Sequence, residues 1–249
     1  VLIDWARYQA VLFDLDGVLT PTAEVHRRAW KRTFDRYLAD RHPEQPPFED
    51  ADYFAHVDGK PRYDGVRDFL RSRHVLVPEG SPEDEPGWDS VCAIGNTKNL
   101  AFNEVLAEDG VDPFPGSVRL LDHLDRLGVK VAVVSSSANA RAVLTAAGLA
   151  GRFPVLIDGI VAQMSKLAGK PSPDTFLEAA RRLGSTPEDA VVVEDAISGV
   201  AAGAAGAFGL VIGVDREASV DDLLAAGADI VVRDLGETLS PDLEESEPS

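Results

Sequence analysis

Short apolar runs rich in β-branched residues recur through the second half of the chain, at 129–134, 190–193, 208–214 and 229–232. They are continuous rather than alternating. A strand can be apolar on both sides only if both faces of its sheet are covered. The segments between them carry helix signals. Leu120, Leu121, Leu124 and Leu127 recur at helical spacing, and Gly128 follows as a C-terminal cap. Val143, Leu144 and Ala147 mark another helix, closed by Gly148. Ser172-Pro173 and Thr186-Pro187 each read as an N-cap followed by a first-turn proline. Strands alternating with helices predict an α/β fold, a doubly wound parallel sheet covered on both faces. The stretch 199–206 is a helix of small residues. Each interior glycine costs it about 1 kcal/mol of propensity, so close packing on the sheet is expected.

A further run, 10–13, ends in Asp14-Leu15-Asp16-Gly17. Burying an unpaired carboxylate is costly, so two of them predict a bound cation or a phosphorylated ligand. Residues two apart on a strand point to the same side. A carboxylate in this position can attack phosphorus and hold the phosphoryl group covalently.

Between residues 23 and 110 the alternation stops. Trp30, Phe34 and Leu38, spaced by four, share one helical face. Only 75–77 reads as a strand, and 78–88, with three prolines and two glycines, reads as loop. The predicted organisation is an α/β core from 1–22 and 111–249 with a mostly helical cap domain, 23–110, inserted after the first strand. The acidic tail 239–249 reads as disordered.

Net charge is −18, from 24 basic and 42 acidic residues. This disfavours nucleic acid and anionic membrane as partners. No apolar stretch approaches the length of a spanning helix. The first residues lack a basic-then-apolar signal pattern, and the single cysteine, Cys92, cannot form an internal disulfide. Both point to a cytoplasmic protein.

Two more strands end in polar residues. The run 129–134 leads into Ser135-Ser136-Ser137, and 190–193 leads into Glu194-Asp195. Ligands of open parallel sheets bind outside the carboxyl ends of the strands. These endings therefore share one crevice with Asp14 and Asp16, and Lys170, before a helix, can reach the same edge. Carboxylates gathered there repel by about 4 kcal/mol per pair at about 4 Å and an effective dielectric near 20. A divalent cation offsets that cost. Oxygen-only donors favour magnesium over zinc, and the five histidines and one cysteine show no zinc spacing. Taken singly, Ser135 is an ordinary helix cap and Lys170 a solvated lysine. The ordered combination carries the chemistry.

That ordered set, Asp14-Leu15-Asp16-Gly17, Ser135, Lys170 and Glu194-Asp195, resembles the four motifs of the haloacid dehalogenase superfamily of phosphotransferases. Within it, the stretches 16–30, 58–66, 135–139 and 169–171 resemble the beta-phosphoglucomutases. The resemblance implies that Asp14 is a nucleophile that becomes an aspartyl phosphate, and that Asp16 is the general acid and base. It implies Mg2+ among Asp14, the Asp16 backbone carbonyl, Glu194 and Asp195. Ser135, Ser136 and Lys170 would hold the transferring phosphoryl group. Thr22, His26 and Lys98 would couple cap closure to the acid/base. Trp30, Gly59, Arg62, Ser137 and Asn139 would bind the sugar phosphate, with Arg62, Ser137 and Asn139 on its second phosphate.

The implied activity interconverts beta-D-glucose 1-phosphate and glucose 6-phosphate through glucose 1,6-bisphosphate, in a monomer. The alternative is a magnesium-dependent small-molecule phosphatase of the same superfamily, in which water attacks the same intermediate. A dehalogenase needs neither Asp16 as acid/base nor magnesium. A phospho-accepting receiver module would be near half this length, without an inserted helical module.

Overall fold

The protein was analysed as a computed structural model, which describes residues 1–57, 62–216 and 218–240. The chain divides into two compact units, Val1–Thr22 with Val111–Ser249, and Ala23–Gly110. Strand β1 (Ala10–Phe13) opens the first. The second contains α1 (Ala23–Arg41), the short α2 (Asp50–Asp52) leading into a wide turn at Tyr53–Val57, α3 (Arg62–Ser72) and α4 (Val91–Asp109). The first unit resumes with α5 (Pro115–Leu127), β2 (Lys130–Val134), α6 (Ala140–Ala146), β3 (Val155–Ile157), α7 (Gly159–Met164) and α8 (Asp174–Leu183). It ends with β4 (Ala190–Glu194), α9 (Ile197–Ala205), β5 (Leu210–Val214), α10 (Val220–Ala225) and β6 (Ile230–Val232).

Among the described residues the strands form one parallel sheet in the order β3-β2-β1-β4-β5-β6. Every residue of β1 and β4 is buried. Each valine or leucine hidden this way contributes about 1.5–3 kcal/mol. Phe13 stands between Val133 of β2 and Val193 of β4. Successive strands leave β1 in opposite directions, so its carboxyl end is the switch point of the sheet.

Gly128 closes α5 in the left-handed region at φ 70°, where glycine meets no steric penalty. On α9, a Cβ at Gly203 would lie 3.1 Å from a methyl of Val192 and 3.2 Å from Val211. The small-residue helix thus lies as close to the sheet as its composition suggests. Three local readings are corrected. The N-cap of α8 is Pro173, and the Ser172 hydroxyl donates to the Asp174 carboxylate instead, at 2.7 Å. Strand β3 had no counterpart in the sequence reading. Leu239 is buried, so the expected tail does not start there, and residues 241–249 lie outside the described ones.

The second unit has its own core. Trp30, Phe34, Tyr37 and Leu38 of α1 meet Phe69 of α3 and Ile94 of α4. The rings of Phe34 and Phe69 are 4.0 Å apart between centroids. No strand forms at 75–77: Val75 is buried while Leu76 is 90 % exposed. The pair of valines serves as an anchored connector, since no neighbouring strand is there to bond it. The basic run on α1 is a surface of ion pairs, Arg28 with Asp109 at 2.5 Å and Arg32 with Glu108 at 2.6 Å.

Candidate active site

Asp14 follows β1 at the switch point and is buried. Its amide donates to the carbonyl of Val193 at 2.9 Å, which continues the ladder one residue past the strand. Lys170 arrives from the segment between α7 and α8. Its ammonium donates to the Asp14 carboxylate, to Glu194 Oε1 at 2.5 Å and to the carbonyl of Val134 at 3.0 Å. One cation therefore joins the carboxyl ends of β1, β2 and β4. Glu194 uses its other oxygen to accept from the amide of Ala196 at 2.9 Å.

The electrostatics follow from burial. Desolvation pushes the Asp14 carboxyl up to about 8; Lys170 opposes this, while Glu194 and Asp16 add to it. Burial alone would lower the ammonium of Lys170, but Asp14 and Glu194 outweigh it and hold the lysine protonated. Asp195 is pushed up to about 9, first by desolvation and then by Glu194, Asp14 and Asp16. A lone lysine cannot neutralise this many buried acids, so Asp14 and Asp195 hold their protons to higher pH than ordinary carboxyls.

Asp16 is held differently. It accepts from the hydroxyl of Thr22, which is fully buried. The next residue, Gly17, sits at φ +79° with the Asp195 carboxylate where a side chain would be. A larger residue would be both strained and displaced. Asp14 and Asp16, two positions apart, thus meet different groups, Asp14 the ammonium of Lys170 and Asp16 the hydroxyl of Thr22.

Ser135 follows β2 and is buried; its hydroxyl accepts from the amide of Ser137 at 3.1 Å. The Ser137 hydroxyl accepts from the amide of Asn139 at 3.1 Å, at the start of α6. Ser136, between them, is exposed. These turns leave the loop after β2 beside Asp14 and Lys170, as the Lys170 bond to Val134 requires.

The expected metal ligands Asp14, Asp16, Glu194 and Asp195 come to one sheet edge without being gathered round a single point. Among the described residues, no three acidic, histidine or cysteine side chains form a ready metal cluster. Asp14 and Glu194 are turned onto Lys170 instead. The donor set nevertheless suits a hard divalent cation: it is made of oxygens, and such a cation would offset both the desolvation and the acidic neighbours that raise Asp195.

In the second unit, Lys98 is buried and its Nζ lies 2.7 Å from Nδ1 of His26. His26 packs against the Phe102 ring at 4.4 Å. Its pKa falls well below the usual histidine value, because it is buried and because Lys98 is beside it. Arg62 stacks on Tyr63, with 4.9 Å between the guanidinium carbon and the ring centroid. Its Nε is buried with no hydrogen-bond partner among the described residues. Trp30, expected to meet substrate, is a core residue, 4 % exposed and stacked on Phe34 at 5.2 Å. The spacing that placed it on the α1 core face also decides its role. Gly59 lies outside the described residues.

The sequence reading missed two features of the first unit. Asp158 follows β3, is buried, and caps α7 by accepting from Val161 at 2.8 Å. The next residue, Gly159, touches the loop after β2: a Cβ there would lie 2.7 Å from the Ser136 carbonyl. The Ile-Asp-Gly ending repeats the form of the other strand ends and was the available signal. Arg216, after β5, donates to the Gly17 carbonyl at 2.9 Å and to the Arg233 carbonyl at 2.8 Å, and its guanidinium lies 4.0 Å from the Phe114 ring centroid. No motif marks it.

A parallel sheet with a buried aspartate at its switch point, a lysine joining three strand ends and an acidic pair at the end of β4 is the arrangement expected of a phosphoryl-transfer protein. The chain belongs to the haloacid dehalogenase-like hydrolase family, whose model matches residues 8–206. It is 48 % identical to the beta-phosphoglucomutase of Mycobacterium bovis over 241 residues, 94 % of this chain and 92 % of the relative. It is 32 % identical to hexitol phosphatase A of Escherichia coli, over 80 % of each chain. The crystal structure of CbbY from Rhodobacter sphaeroides in complex with phosphate is similar at a TM-score of 0.68 and 26 % identity, covering 92 % of this chain and 96 % of the other. Among the described residues no helix is long and apolar enough to cross a membrane.

Proposed function

We propose that this chain is a beta-phosphoglucomutase, an isomerase of carbohydrate metabolism that interconverts beta-D-glucose 1-phosphate and glucose 6-phosphate. The observation that carries the reading is the separate holding of Asp14 on Lys170 and Asp16 on Thr22. The first contact suits a carboxylate that bonds phosphorus, the second one that moves protons. The similarity to the Mycobacterium bovis enzyme extends over nearly the whole of both chains and favours a mutase over the phosphatase alternative.

An oxygen of Asp14 attacks one phosphoryl group of glucose 1,6-bisphosphate. The bond from phosphorus to the sugar oxygen breaks, and Asp16 supplies the proton that this oxygen takes up. In the return step Asp16 removes the proton of a sugar hydroxyl, whose oxygen attacks the aspartyl phosphate and frees Asp14. Lys170 and the Ser135 hydroxyl balance and orient the phosphoryl oxygens, with the Ser136 amide. Thr22, His26 and Lys98 position the acid/base step. Arg62, Ser137 and Asn139 take the phosphate that is not transferred; a guanidinium can meet such an anion with two parallel donors. Asp14, the Asp16 carbonyl, Glu194 and Asp195 would hold Mg2+, which when bound supplies positive charge against the transferring oxygens. The same reading makes the protein a cytoplasmic monomer acting on free sugar phosphates.

The test is a covalent trap. Brief incubation with glucose 1,6-bisphosphate and Mg2+, followed by acid quench and peptide mass mapping, should find one phosphoryl group on the peptide containing Asp14. Asp14→Asn should carry none. Asp16→Ala should retain labelling by acetyl phosphate, whose leaving group needs no acid. A label elsewhere, or turnover by Asp14→Asn, contradicts the assignment.

A further inference from the structure

The loop 78–90 is held by its own hydrogen bonds. Asp84 accepts from the amide of Ser81 at 3.1 Å and from the hydroxyl of Ser90 at 2.6 Å. The amide of Val91 donates to the carbonyl of Pro78 at 2.9 Å. Gly80 is at φ +74°, with Asp84 and Ser90 crowded against the place of its missing side chain. So the loop is a shaped element, and it makes one further connection.

The amide nitrogen of Asn96, on α4, donates to the carbonyls of Pro82 at 3.1 Å and Asp84 at 2.8 Å. Both of its protons are spent on carbonyls, so the orientation of the amide is decided by the network. Its oxygen must then face the other way, where it accepts from the Tyr63 hydroxyl at 2.9 Å. With its proton committed to Asn96, the Tyr63 oxygen presents lone pairs, and Arg62 donates to it from a terminal nitrogen at 3.1 Å. The ring of Tyr63 fits because residue 95 is glycine: a Cβ there would lie 2.7 Å from the ring edge and 3.3 Å from the Arg62 stem. The series loop, Asn96, Tyr63, Arg62 therefore runs in one direction, each donor meeting one acceptor. Every member belongs to the second unit.

We propose that Tyr63 and Asn96 are positioning residues through which the 78–90 loop sets the guanidinium of Arg62, and thereby the affinity for sugars bearing a second phosphate. This rests on the reading of Arg62 as the holder of the non-transferred phosphate. An arginine left to its own rotamers loses part of its binding free energy to ordering; the relay removes that cost in advance. Because the second phosphate is held alike in the ground and transition states, its loss acts on KM rather than kcat.

The experiment uses the full chain with Tyr63→Phe, Asn96→Ala, the double variant and Arg62→Ala, assayed with glucose 1,6-bisphosphate as the varied substrate. Tyr63→Phe should raise KM about two- to ten-fold, the net worth of one hydrogen bond, with kcat within twofold. Asn96→Ala should do the same, and the double variant should be no worse than the poorer single one, since both act along one path. Arg62→Ala should raise KM further. If Arg62→Ala raises KM while Tyr63→Phe leaves it unchanged, the relay is overturned and the Arg62 reading stands. If Arg62→Ala leaves KM unchanged, both fall. Effects that multiply in the double variant, or that fall on kcat, also overturn the relay. Should Asn96→Ala melt far below the parent, Tyr63→Phe, which keeps the ring and its packing, decides alone.

Discussion

His26 shows how one residue's surroundings decide its chemistry. A lysine ammonium can only donate, so Nδ1 of His26 must accept from Lys98 and the ring proton sits on Nε2. Charging the ring is disfavoured by desolvation, and it would also place two cations 2.7 Å apart. The folded pKa is therefore depressed below the unfolded value near 6.5. A depressed value gives stability that is present above pH 6.5 and lost as pH falls towards the folded pKa. Urea unfolding at pH 7 and pH 5.5 should find that the parent loses more stability than His26→Asn. The difference is bounded by about 1.4 kcal/mol per pH unit for one proton. Equal losses would mean that His26 is charged in the folded protein. At the same scale the proposed division of work between Asp14 and Asp16 follows their contacts with Lys170 and Thr22, and no count of acids in the sequence distinguishes them.

At the scale of elements, the α9 helix tests how tightly the sheet is covered. Replacing Gly203 with leucine adds a branched side chain where even a Cβ would press on Val192 and Val211. Overpacking of this kind costs about 1–3 kcal/mol, more than the gain in helix propensity. The urea midpoint should drop with an unchanged m-value; an undisturbed midpoint would show that the helix can move off the sheet. The strands β1, β2, β4 and β5 were legible because burial on both faces forces unbroken apolar runs. Strand β3 was not, since three residues after Pro154, two half-buried and one buried, leave too short a pattern to separate from loop. The reverse error at 75–77 has a matching cause: β-branched residues fit a strand only where another strand can pair with them. The acids and serines of the core were readable from their places at strand ends, and Lys170 from its place before a helix. Arg216, Tyr63 and Asn96 were not, because their partners, such as Gly17 and Pro82, are brought near only by the finished fold.

For the molecule as a whole, a net charge of −18 has to coexist with the doubly anionic sugar phosphate that the proposed function requires. In the proposed function the affinity for phosphate then comes from local groups rather than the long-range field: Lys170 and the loop amides in one unit, Arg62 in the other. Each unit brings a separate core, so each can keep its own set of groups rigid. What separates a mutase from a phosphatase is the acceptor of the Asp14 phosphoryl group. The direct measurement is the partition of that group. Enzyme phosphorylated with labelled glucose 1,6-bisphosphate is mixed with unlabelled beta-D-glucose 1-phosphate and Mg2+, and labelled sugar bisphosphate and free phosphate are counted together. The proposed function predicts that most of the label passes to the sugar; label released chiefly as free phosphate, with no glucose 6-phosphate formed, would contradict it.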